Sequence, residues 1–346
     1  MAHKLAFIGF GTVGQGLAEI LRDKGDTLRQ GIGFDAQIVA VSDLMKGSLY
    51  HPAGLDVAKL LEVVQATDSL NDYPNSPGLQ RGWDSFQTIC DSNADTIVEV
   101  SFTDIETGQP AIDHCQAAFA CGKNVVMSNK GPVALAYKEL SALAEQNSVR
   151  WCFEGTVMSG TPALRMPLTA LVGNEISEVR GIFNGTTNFI LSQMEDEMSY
   201  ADALKQAQAL GYAEADPTAD VDGFDALGKV VILANVIMNA PLRKEDVACR
   251  GISHLTMQDI MAAKAEGKRW KLIGRAKKEG NKVVASVGPE KVRWSDPLAG
   301  VMGAMNAITY ECDLAGPITL VGAGAGRVET GYSLLIDLIN IEQGTV

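Results

Sequence analysis

Residues 5–21, LAFIGFGTVGQGLAEIL, decide the fold. The first four, Leu5–Ile8, form a short apolar run typical of a buried strand, and the glycine-rich turn Gly9–Gly14 follows at once. From Val13 to Leu21 the apolar residues are spaced for one face of a helix. Glycines in this turn let the backbone approach a pyrophosphate, whose charge is favoured at a helix N-terminus. The segment therefore predicts a strand, a dinucleotide-binding turn and a helix at the start of an α/β sheet.

The alternation of strand and helix patterns continues to residue 153. Further strands are predicted at Ile38–Val41, Thr96–Val100, Asn124–Met127 and Val149–Phe153, with helices at Pro110–Ala120 and Ala134–Glu145. Strands joined by helical crossovers are parallel, so we predict the α/β class with a doubly wound, parallel Rossmann-type sheet. Residues 43–81 contain several Pro and Gly and predict an irregular connection with one helix near Val57–Gln65.

After Gly155 the strand patterns are more widely spaced and have few helical crossovers, which indicates a second, α+β domain with a mixed sheet. Its strands are predicted at Glu178–Phe183, Arg269–Ala276, Lys282–Val287 and Ile308–Cys312, and its helices near Tyr200–Leu210, Phe224–Met238 and Met257–Ala265. We therefore expect a dinucleotide-binding domain at 1–153 and a second domain at 154–312. Residues 313–346, with a strand, a glycine turn and a helix, are expected to return to the first domain.

Composition excludes several classes of protein. The 346 residues carry 42 acidic and 29 basic side chains, a formal charge of −13, which argues against nucleic-acid and anionic-membrane partners. The longest uncharged run, Val230–Leu242, is too short to span a bilayer. Six scattered cysteines without a CxxC pair, and four histidines without zinc-ligand spacing, predict reduced and mostly packed thiols in a cytosolic protein.

Polar residues at predicted strand ends are candidates for binding the dinucleotide. Asp43 follows the second strand and is placed to accept a hydrogen bond from a ribose hydroxyl, which favours NAD. It lies 29 residues after Gly14, however, further than the usual spacing of about 20, and could equally be a solvated loop residue. Lys46 could instead meet a 2′-phosphate, so NAD and NADP both stay open. Ser101 and Lys130 follow the third and fourth strands, where ligands of open α/β sheets bind.

The densest chemical signal is the segment Gly211–Lys229, in which five carboxylates lead into a helix with one lysine. Asp225 and Lys229 are four residues apart and share a helix face. The residues after Lys229 leave no polar face, which indicates a buried helix and a partly desolvated amine. Such a lysine can exchange a proton with an alcohol oxygen, although the same pair could be a structural ion pair anchoring the helix. Asn184–Phe189 is either an elaborate helix cap or a site for a carboxylate.

Together these segments resemble the homoserine dehydrogenase family. The resemblance covers nearly the whole chain in the family's order, and it is carried by Gly9–Gly14, Ser128–Pro132, Glu154–Pro162, Asn184–Phe189, Gly211–Lys229 and Gly322–Arg327. Members of the family oxidise L-homoserine to L-aspartate 4-semialdehyde, or catalyse the reverse reaction, with NAD or NADP.

The resemblance implies roles for individual residues of this chain. Lys229 matches the family's proton-exchanging lysine, and Lys130 matches a lysine at the cofactor–substrate junction. Substrate-binding residues are implied at Glu214, Asp225, Asp220 and Thr187. Cofactor contacts are implied at Phe10, Gly11, Thr12, Val13, Gly14, Ser101 and Gly324. A site for a monovalent cation, Na⁺ or K⁺, built largely from backbone oxygens, is implied at Glu154, Val157, Ser159 and Thr161.

The resemblance also implies a cytoplasmic homodimer that assembles through the second domain and serves threonine, methionine and isoleucine biosynthesis. Many bacterial members carry a C-terminal threonine-binding domain, whereas this sequence ends at Val346, so feedback by that route is not expected. Two alternatives remain open. One is a dehydrogenase of the same architecture that acts on another amino or hydroxy acid, and the other is a catalytically silent nucleotide sensor.

Overall fold

The computed structural model describes residues 2–345 and divides into two compact units. The first comprises Met1–Gly160 with Gly326–Val346, and the second comprises Thr161–Ala325. The boundary between the two units, expected after residue 153, falls after Gly160. The predicted segment 313–346 is itself divided, because its strand pairs in the sheet of the second unit while its helix belongs to the first.

A seven-stranded sheet forms the centre of the first unit. Its strands are β1 (His3–Ile8), β2 (Ala36–Asp43), β3 (Gly47–Tyr50), β4 (Gln80–Arg81), β5 (Thr96–Glu99), β6 (Asn124–Met127) and β7 (Trp151–Cys152). The order across the sheet is β4-β3-β2-β1-β5-β6-β7, and the five strands from β2 to β7 are parallel. The predicted Rossmann-type arrangement is confirmed. Residues 43–81, which we expected to form an irregular connection, add the antiparallel strands β3 and β4 at one edge of the sheet. These strands have four and two residues, too few for a periodic pattern to predict them.

The helices that follow these strands are α1 (Thr12–Ile32), α2 (Val57–Thr67), α3 (Ser85–Asp91), α4 (Ala111–Ala120) and α5 (Lys130–Gln146). They pack in two groups, since α1 contacts α2 whereas α4 contacts α3 and α5. Helix α1 buries Leu17, Ala18 and Leu21 on its apolar face and ends at Gly33, whose left-handed backbone closes the helix.

The second unit is built on a mixed sheet of six strands, as predicted. They are β8 (Ile176–Ile182), β9 (Val247–Cys249), β10 (Lys268–Glu279), β11 (Lys282–Arg293), β12 (Met305–Cys312) and β13 (Gly316–Ala323), in the order β13-β12-β8-β10-β11-β9. All neighbours are antiparallel except β9 and β11. Its helices are α6 (Gly185–Glu195), α7 (Tyr200–Ala209), α8 (Thr218–Val221), α9 (Phe224–Ile237) and α10 (Met257–Ala265).

The last helix, α11 (Arg327–Gln343), returns to the first unit and packs on α1. The two backbones touch at glycines: a Cβ on Gly16 would lie 2.1 Å from the Arg327 carbonyl oxygen, and one on Gly331 would lie 2.7 Å from Leu17 N. The Arg327 guanidinium donates to both Glu19 carboxylate oxygens, at 3.0 and 2.7 Å. The chain therefore leaves the first unit and comes back to complete it.

Shorter helical turns occur at Glu154–Thr156, Met166–Ala170, Lys244–Asp246 and Pro297–Gly300. In residues 2–345 no helix has both the length and the apolar content needed to cross a bilayer.

The expectation of reduced cysteines is wrong for one pair. Cys90 near the end of α3 and Cys121 after α4 form a disulfide. They are 31 residues apart in the sequence, and only the packing of α3 on α4 brings their Cα atoms to 5.5 Å. The other cysteines, Cys115, Cys152, Cys249 and Cys312, are free thiols and all but Cys249 are buried.

Candidate active site

The glycine turn after β1 has the shape that a pyrophosphate requires. Gly9 has a φ of +94°, and a Cβ there would lie 2.5 Å from the Val100 carbonyl oxygen. A Cβ on Gly14 would lie 3.0 Å from the Gly9 oxygen, whereas one on Gly11, the N-cap of α1, would meet open space. The turn therefore packs tightly against the sheet and leaves the N-terminus of α1 open to an anion.

A cavity of about 950 Å³ lies beside this turn in the first unit. Of the predicted cofactor residues, Gly11, Asp43 and Ser101 line it. Its apolar walls come from side chains that the sequence did not single out: Leu44, Met45, Trp83, Phe86 and Phe102. A cavity with a phosphate-binding turn at one end and apolar side chains around it fits a dinucleotide.

The other residues expected to contact the cofactor differ in exposure. Phe10 is fully buried in the core, so only its backbone faces the turn. Thr12 is exposed and Val13 half-buried in the first turn of α1. Gly324 belongs to the second unit, where it packs against Asn306: a Cβ on Gly324 would lie 2.1 Å from the Asn306 Nδ2 atom.

Asp43 holds the two loops that border the cavity. Its Oδ2 accepts a hydrogen bond from the Phe10 N–H at 2.7 Å, and its Oδ1 accepts from the N–H groups of Met45 and Lys46 at 3.0 Å each. This carboxylate is therefore more than a solvated loop residue. It fixes the glycine turn against the end of β2 while still lining the cavity.

The helix after β6 begins earlier than the predicted Ala134, so that Lys130 is the first residue of α5. Asn129 caps this helix by accepting from the Gly131 N–H at 3.1 Å. The Asn129 amide also donates to the carbonyl oxygens of Ser101 and Phe102, at 3.4 and 3.0 Å. One side chain thus ties the end of β6 to the end of β5, which fixes the position of Lys130 relative to Ser101.

Lys229 lies in the second turn of α9, which begins at Phe224 after the N-cap Gly223. The helix is buried from Ala226 to Val236. The lysine is 6% exposed. Its Nζ donates to the Phe183 carbonyl oxygen at 2.6 Å and to Asp225 Oδ2 at 2.7 Å. These are two of the three ammonium hydrogens, and within residues 2–345 no further acceptor takes the third. The predicted Asp225–Lys229 pair is therefore present, and it uses two of the three amine hydrogens.

Asn184 connects this pair to a second carboxylate. Its Nδ2 donates to Asp220 Oδ1 at 2.6 Å and to Asp225 Oδ2 at 3.0 Å. Burial raises the pKa of Asp220, and the charge of Asp225 adds to this effect. Hydrogen bonds from Asn184 and Thr186 and the charge of Lys229 act in the opposite direction. In the sequence Asn184 stands out only as part of the segment Asn184–Phe189, and its spacing from Asp220 and Asp225 carries no signal that it bridges them.

Two further residues expected to bind the substrate have other partners. Thr187 is fully buried, and its hydroxyl donates to Asn184 Oδ1 at 2.9 Å. Its N–H donates to the same atom, so Thr187 completes the N-terminal cap of α6. Glu214 is exposed in the segment before α8, and its backbone oxygen accepts from Gln208 Nε2 at 3.1 Å. Thr187 thus holds Asn184 in place, while the Glu214 carboxylate faces solvent.

The residues expected to hold a cation are divided between the two units, with Thr161 in the second and the others in the first. Glu154 is buried, and its N–H donates to Asp337 Oδ2 at 2.9 Å. Val157 is buried, and Ser159 contacts Thr330 through their hydroxyl oxygens at 2.7 Å. Ser159 has a φ of +52°, a backbone conformation that is uncommon for a side chain-bearing residue. No cluster of three His, Cys, Asp or Glu residues suited to a metal occurs in residues 2–345.

Comparisons with known proteins give a consistent result. A family model described as homoserine dehydrogenase matches residues 162–339, and one described as homoserine dehydrogenase, NAD binding domain, matches residues 9–154. An NAD(+)-dependent homoserine dehydrogenase of Pseudomonas canavaninivorans is 44% identical over 344 residues, 99% of this chain and 96% of that protein.

Solved structures agree with these matches. A homoserine dehydrogenase from Thiobacillus denitrificans superimposes with a TM-score of 0.83 at 32% identity, covering 99% of this chain and 73% of that one. A hyperthermophilic archaeal homoserine dehydrogenase mutant in complex with NADPH also gives a TM-score of 0.83, at 30% identity, covering 99% of this chain and 98% of that one.

Proposed function

The chain belongs to the homoserine dehydrogenase family, and on this premise we propose that Lys229 exchanges the proton of the substrate hydroxyl as L-homoserine and L-aspartate 4-semialdehyde interconvert. One observation carries the proposal. The buried Lys229 amine is held by Asp225 and by the Phe183 carbonyl, and keeps one N–H for a further acceptor. An ion pair that served only to anchor α9 would not need to leave a donor unused.

The proton has a defined route in both directions. During reduction the Lys229 ammonium donates a proton to the aldehyde oxygen, and during oxidation the neutral amine accepts the proton of the hydroxyl. A nicotinamide dinucleotide held at the glycine turn and in the cavity beside it would supply the hydride chemistry at the same carbon. Asp225 fixes the amine and stabilises its charged form, and Asn184 fixes Asp225 by donating to the same oxygen that Lys229 contacts.

We assign the remaining substrate contacts by charge. The exposed Glu214 carboxylate is suited to the ammonium group of homoserine, and the half-buried Asp220 extends the polar surface beside Asp225. Thr187 acts through Asn184, as the cap of α6. Lys130, fixed at the start of α5, supplies a positive charge for the cofactor–substrate junction.

A single assay tests the function. Purified protein is mixed with NAD or NADP and L-homoserine, and the absorbance band of reduced nicotinamide is followed; related amino and hydroxy acids serve as competing alcohols. Rapid formation of the band with homoserine, and slow formation with the other alcohols, supports the proposal. Faster turnover of another alcohol would favour a different dehydrogenase, and cofactor binding without turnover of any alcohol would favour a nucleotide sensor.

For the cofactor, we propose NAD as the preferred form. A 2′-phosphate needs a free cation near Asp43, yet the Lys46 amine pairs with Asp68 at 2.5 Å. The Arg81 guanidinium, which also lines the cavity, donates to the carbonyl oxygens of Leu70 and Tyr73. The negative Asp43 would itself repel a phosphate. The relative from Pseudomonas canavaninivorans, named as NAD(+)-dependent, supports this preference.

Releasing Lys46 tests the preference. Asp68→Asn removes the carboxylate but keeps a residue that tolerates the left-handed backbone at this helix end, where φ is +52°. We expect kcat/KM with NADP to rise about 2- to 5-fold, the range of an exposed charge interaction, and kcat/KM with NAD to stay nearly constant. A wild-type enzyme that used NADP better than NAD would contradict the proposal.

We also propose that backbone oxygens near Glu154, Val157 and Ser159 bind a monovalent cation. The family resemblance and the left-handed backbone at Ser159 support this site. Titration of the dialysed enzyme with NaCl, KCl and a bulky organic cation at constant ionic strength tests it. Equal turnover in all three would oppose a cation requirement.

Assembly and cellular role are proposed from the resemblance. We infer a homodimer through the second unit, whose sheet carries exposed apolar side chains such as Val284 on β11 and Val321 on the edge strand β13. Sedimentation velocity tests the dimer. The proposed role, cytoplasmic biosynthesis of threonine, methionine and isoleucine, is tested by complementation of a homoserine auxotroph.

A further inference from the structure

A chain of three side chains runs from the core of the first unit to the cavity beside the glycine turn. Glu99 ends β5 and is fully buried. Its Oε1 atom lies 3.3 Å from His114 Nδ1, and His114 Nε2 lies 3.0 Å from Ser85 Oγ. Ser85 and His114 both line the cavity. The proton exchange at Lys229 makes no use of these groups.

The chemistry of this chain sets the direction of its hydrogen bonds. Glu99 Oε1 already accepts from the Ser101 hydroxyl and from the Ser101 N–H at 3.4 Å, so it acts as an acceptor. The ring nitrogen of His114 that faces it carries the hydrogen. In a neutral imidazole the opposite nitrogen is then an acceptor, and the Ser85 hydroxyl donates to it. The Ser85 oxygen therefore offers only lone pairs to the cavity.

The helices that carry Ser85 and His114 are fixed to each other. Besides the Cys90–Cys121 disulfide, the Lys123 amine donates to the Ser92 carbonyl oxygen at 2.5 Å just beyond α3. The Phe86 ring also contacts the His114 ring edge-on, with centroids 5.4 Å apart. The distance between the serine and the histidine is therefore set by the packing of α3 on α4.

The surroundings of Ser85 suit a flat heterocycle. Leu44, Met45, Phe86 and Phe102 line the same cavity and are 46 to 98% exposed, so their apolar faces are open to a ligand. In a sheet of this type the purine end of the dinucleotide lies beyond the ends of β2 and β5, on the far side of the glycine turn from the reacting ring. Ser85 therefore lies in the wall of the cavity that a purine would occupy.

We propose that Ser85, held as an acceptor by His114 and Glu99, selects a dinucleotide whose purine carries a 6-amino group over one with a 6-oxo group. An amino group donates to the serine oxygen, whereas a carbonyl oxygen at that position meets another acceptor. Ser85 is the contact residue, and His114 and Glu99 are positioning residues. The inference rests on the proposed function only in taking a nicotinamide dinucleotide as the cofactor.

The experiment compares binding of NAD⁺ and of nicotinamide hypoxanthine dinucleotide, its 6-oxo analogue, by calorimetry on the full-length protein. Wild-type protein should bind NAD⁺ about 3- to 10-fold more tightly, the range of one hydrogen bond. Ser85→Ala should bring the ratio of dissociation constants close to one, and Ser85→Thr, which keeps a hydroxyl, should restore it. Asp91→Asn, at the opposite end of α3, is the matched control and should leave the ratio unchanged.

His114→Asn tests the positioning role. It removes the acceptor for the Ser85 hydroxyl, so the ratio should fall as in Ser85→Ala. A purely structural effect would weaken both ligands equally and leave the ratio intact, and that result would overturn the role of His114. Equal binding of both dinucleotides by wild-type protein, or an unchanged ratio in Ser85→Ala, would overturn the selectivity while leaving the proposed function in place. If the protein bound neither dinucleotide, both the selectivity and the proposed function would be overturned.

Discussion

Two buried lysines of the second unit, Lys229 and Lys271, differ in what surrounds their amines. Lys229 contacts a carboxylate and a carbonyl, and one of its hydrogens is unused. Lys271 on β10 is fully buried, and its amine donates to Asn188 Oδ1 at 2.8 Å, to the Val301 carbonyl oxygen at 2.5 Å and to the Met302 sulfur at 3.6 Å.

All three partners of Lys271 are neutral. Burial lowers the pKa of Lys271 to about 8; the charge of Glu195 opposes this effect and that of Arg269 adds to it. A saturated amine among neutral groups cannot reach a substrate, whereas an amine beside a carboxylate with a spare hydrogen can. Burial alone therefore does not identify a catalytic lysine. The partners and the unused donor do.

Removal of the two amines should separate their roles most strongly. Lys229→Ala is expected to lower kcat about 10²- to 10⁴-fold, the usual contribution of a general acid–base group. Lys271→Met, the matched control, should keep kcat within about threefold of wild type, because nothing in the reaction contacts it. Steady-state kinetics measure both, and NAD titration checks that cofactor binding survives. Near-normal turnover in Lys229→Ala would remove the proposed mechanism.

The pH dependence of stability should report on Lys271. The pKa of the Lys271 amine is about 8 in the folded protein, compared with 10.5 for an ordinary exposed lysine. The unfolded chain therefore binds more protons between these two pH values, and the free energy of unfolding should rise as pH increases across this window. The contribution is at most about 3 kcal/mol.

Urea unfolding at several pH values between 8 and 10.5 measures this slope. Other lysines and tyrosines titrate in the same range, so the quantity to compare is the difference between wild type and Lys271→Met. The variant should lose the Lys271 part of the rise. Parallel curves for the two proteins would contradict the assignment.

Asp225→Asn should lower activity, because it replaces the carboxylate that contacts the Lys229 amine. The amide keeps the size of the side chain but removes the charge that stabilises the ammonium form. We expect kcat to fall about 10- to 100-fold, less than on loss of the amine itself. Thermal unfolding of the variant provides the control for misfolding. A kcat equal to that of wild type would show that the carboxylate is not needed for proton exchange.

The smallest effect is expected at Asn184. Asn184→Ser keeps an N-cap for α6 but cannot donate to both Asp220 and Asp225. The aspartate that holds Lys229 is then less well placed, and kcat/KM for homoserine should fall about 3- to 10-fold, with little change in melting temperature. An equal fall in melting temperature and activity would point to a purely structural role.

Local patterns in the sequence predicted much of the fold. The strand–glycine turn–helix at residues 5–21 and the strand Asn124–Met127 were predictable because buried strands and amphipathic helices repeat over a few residues. The short edge strands β3 and β4 were not, because two to four residues carry no usable period. The division of the last segment between units depended on pairing of β13 with β12, a contact that turn chemistry at Gly322 does not reveal.

In the candidate site the same distinction holds. The Asp225–Lys229 pair was predictable from local spacing, because residues four apart on a helix share a face, and the apolar run after Lys229 accounts for its burial. Three other features depend on packing: Asn184 bridges two aspartates, Lys271 is surrounded by neutral acceptors, and Glu99, His114 and Ser85 form one chain. These contacts join residues far apart in the sequence, so they depend on how helices pack on sheets rather than on any local repeat.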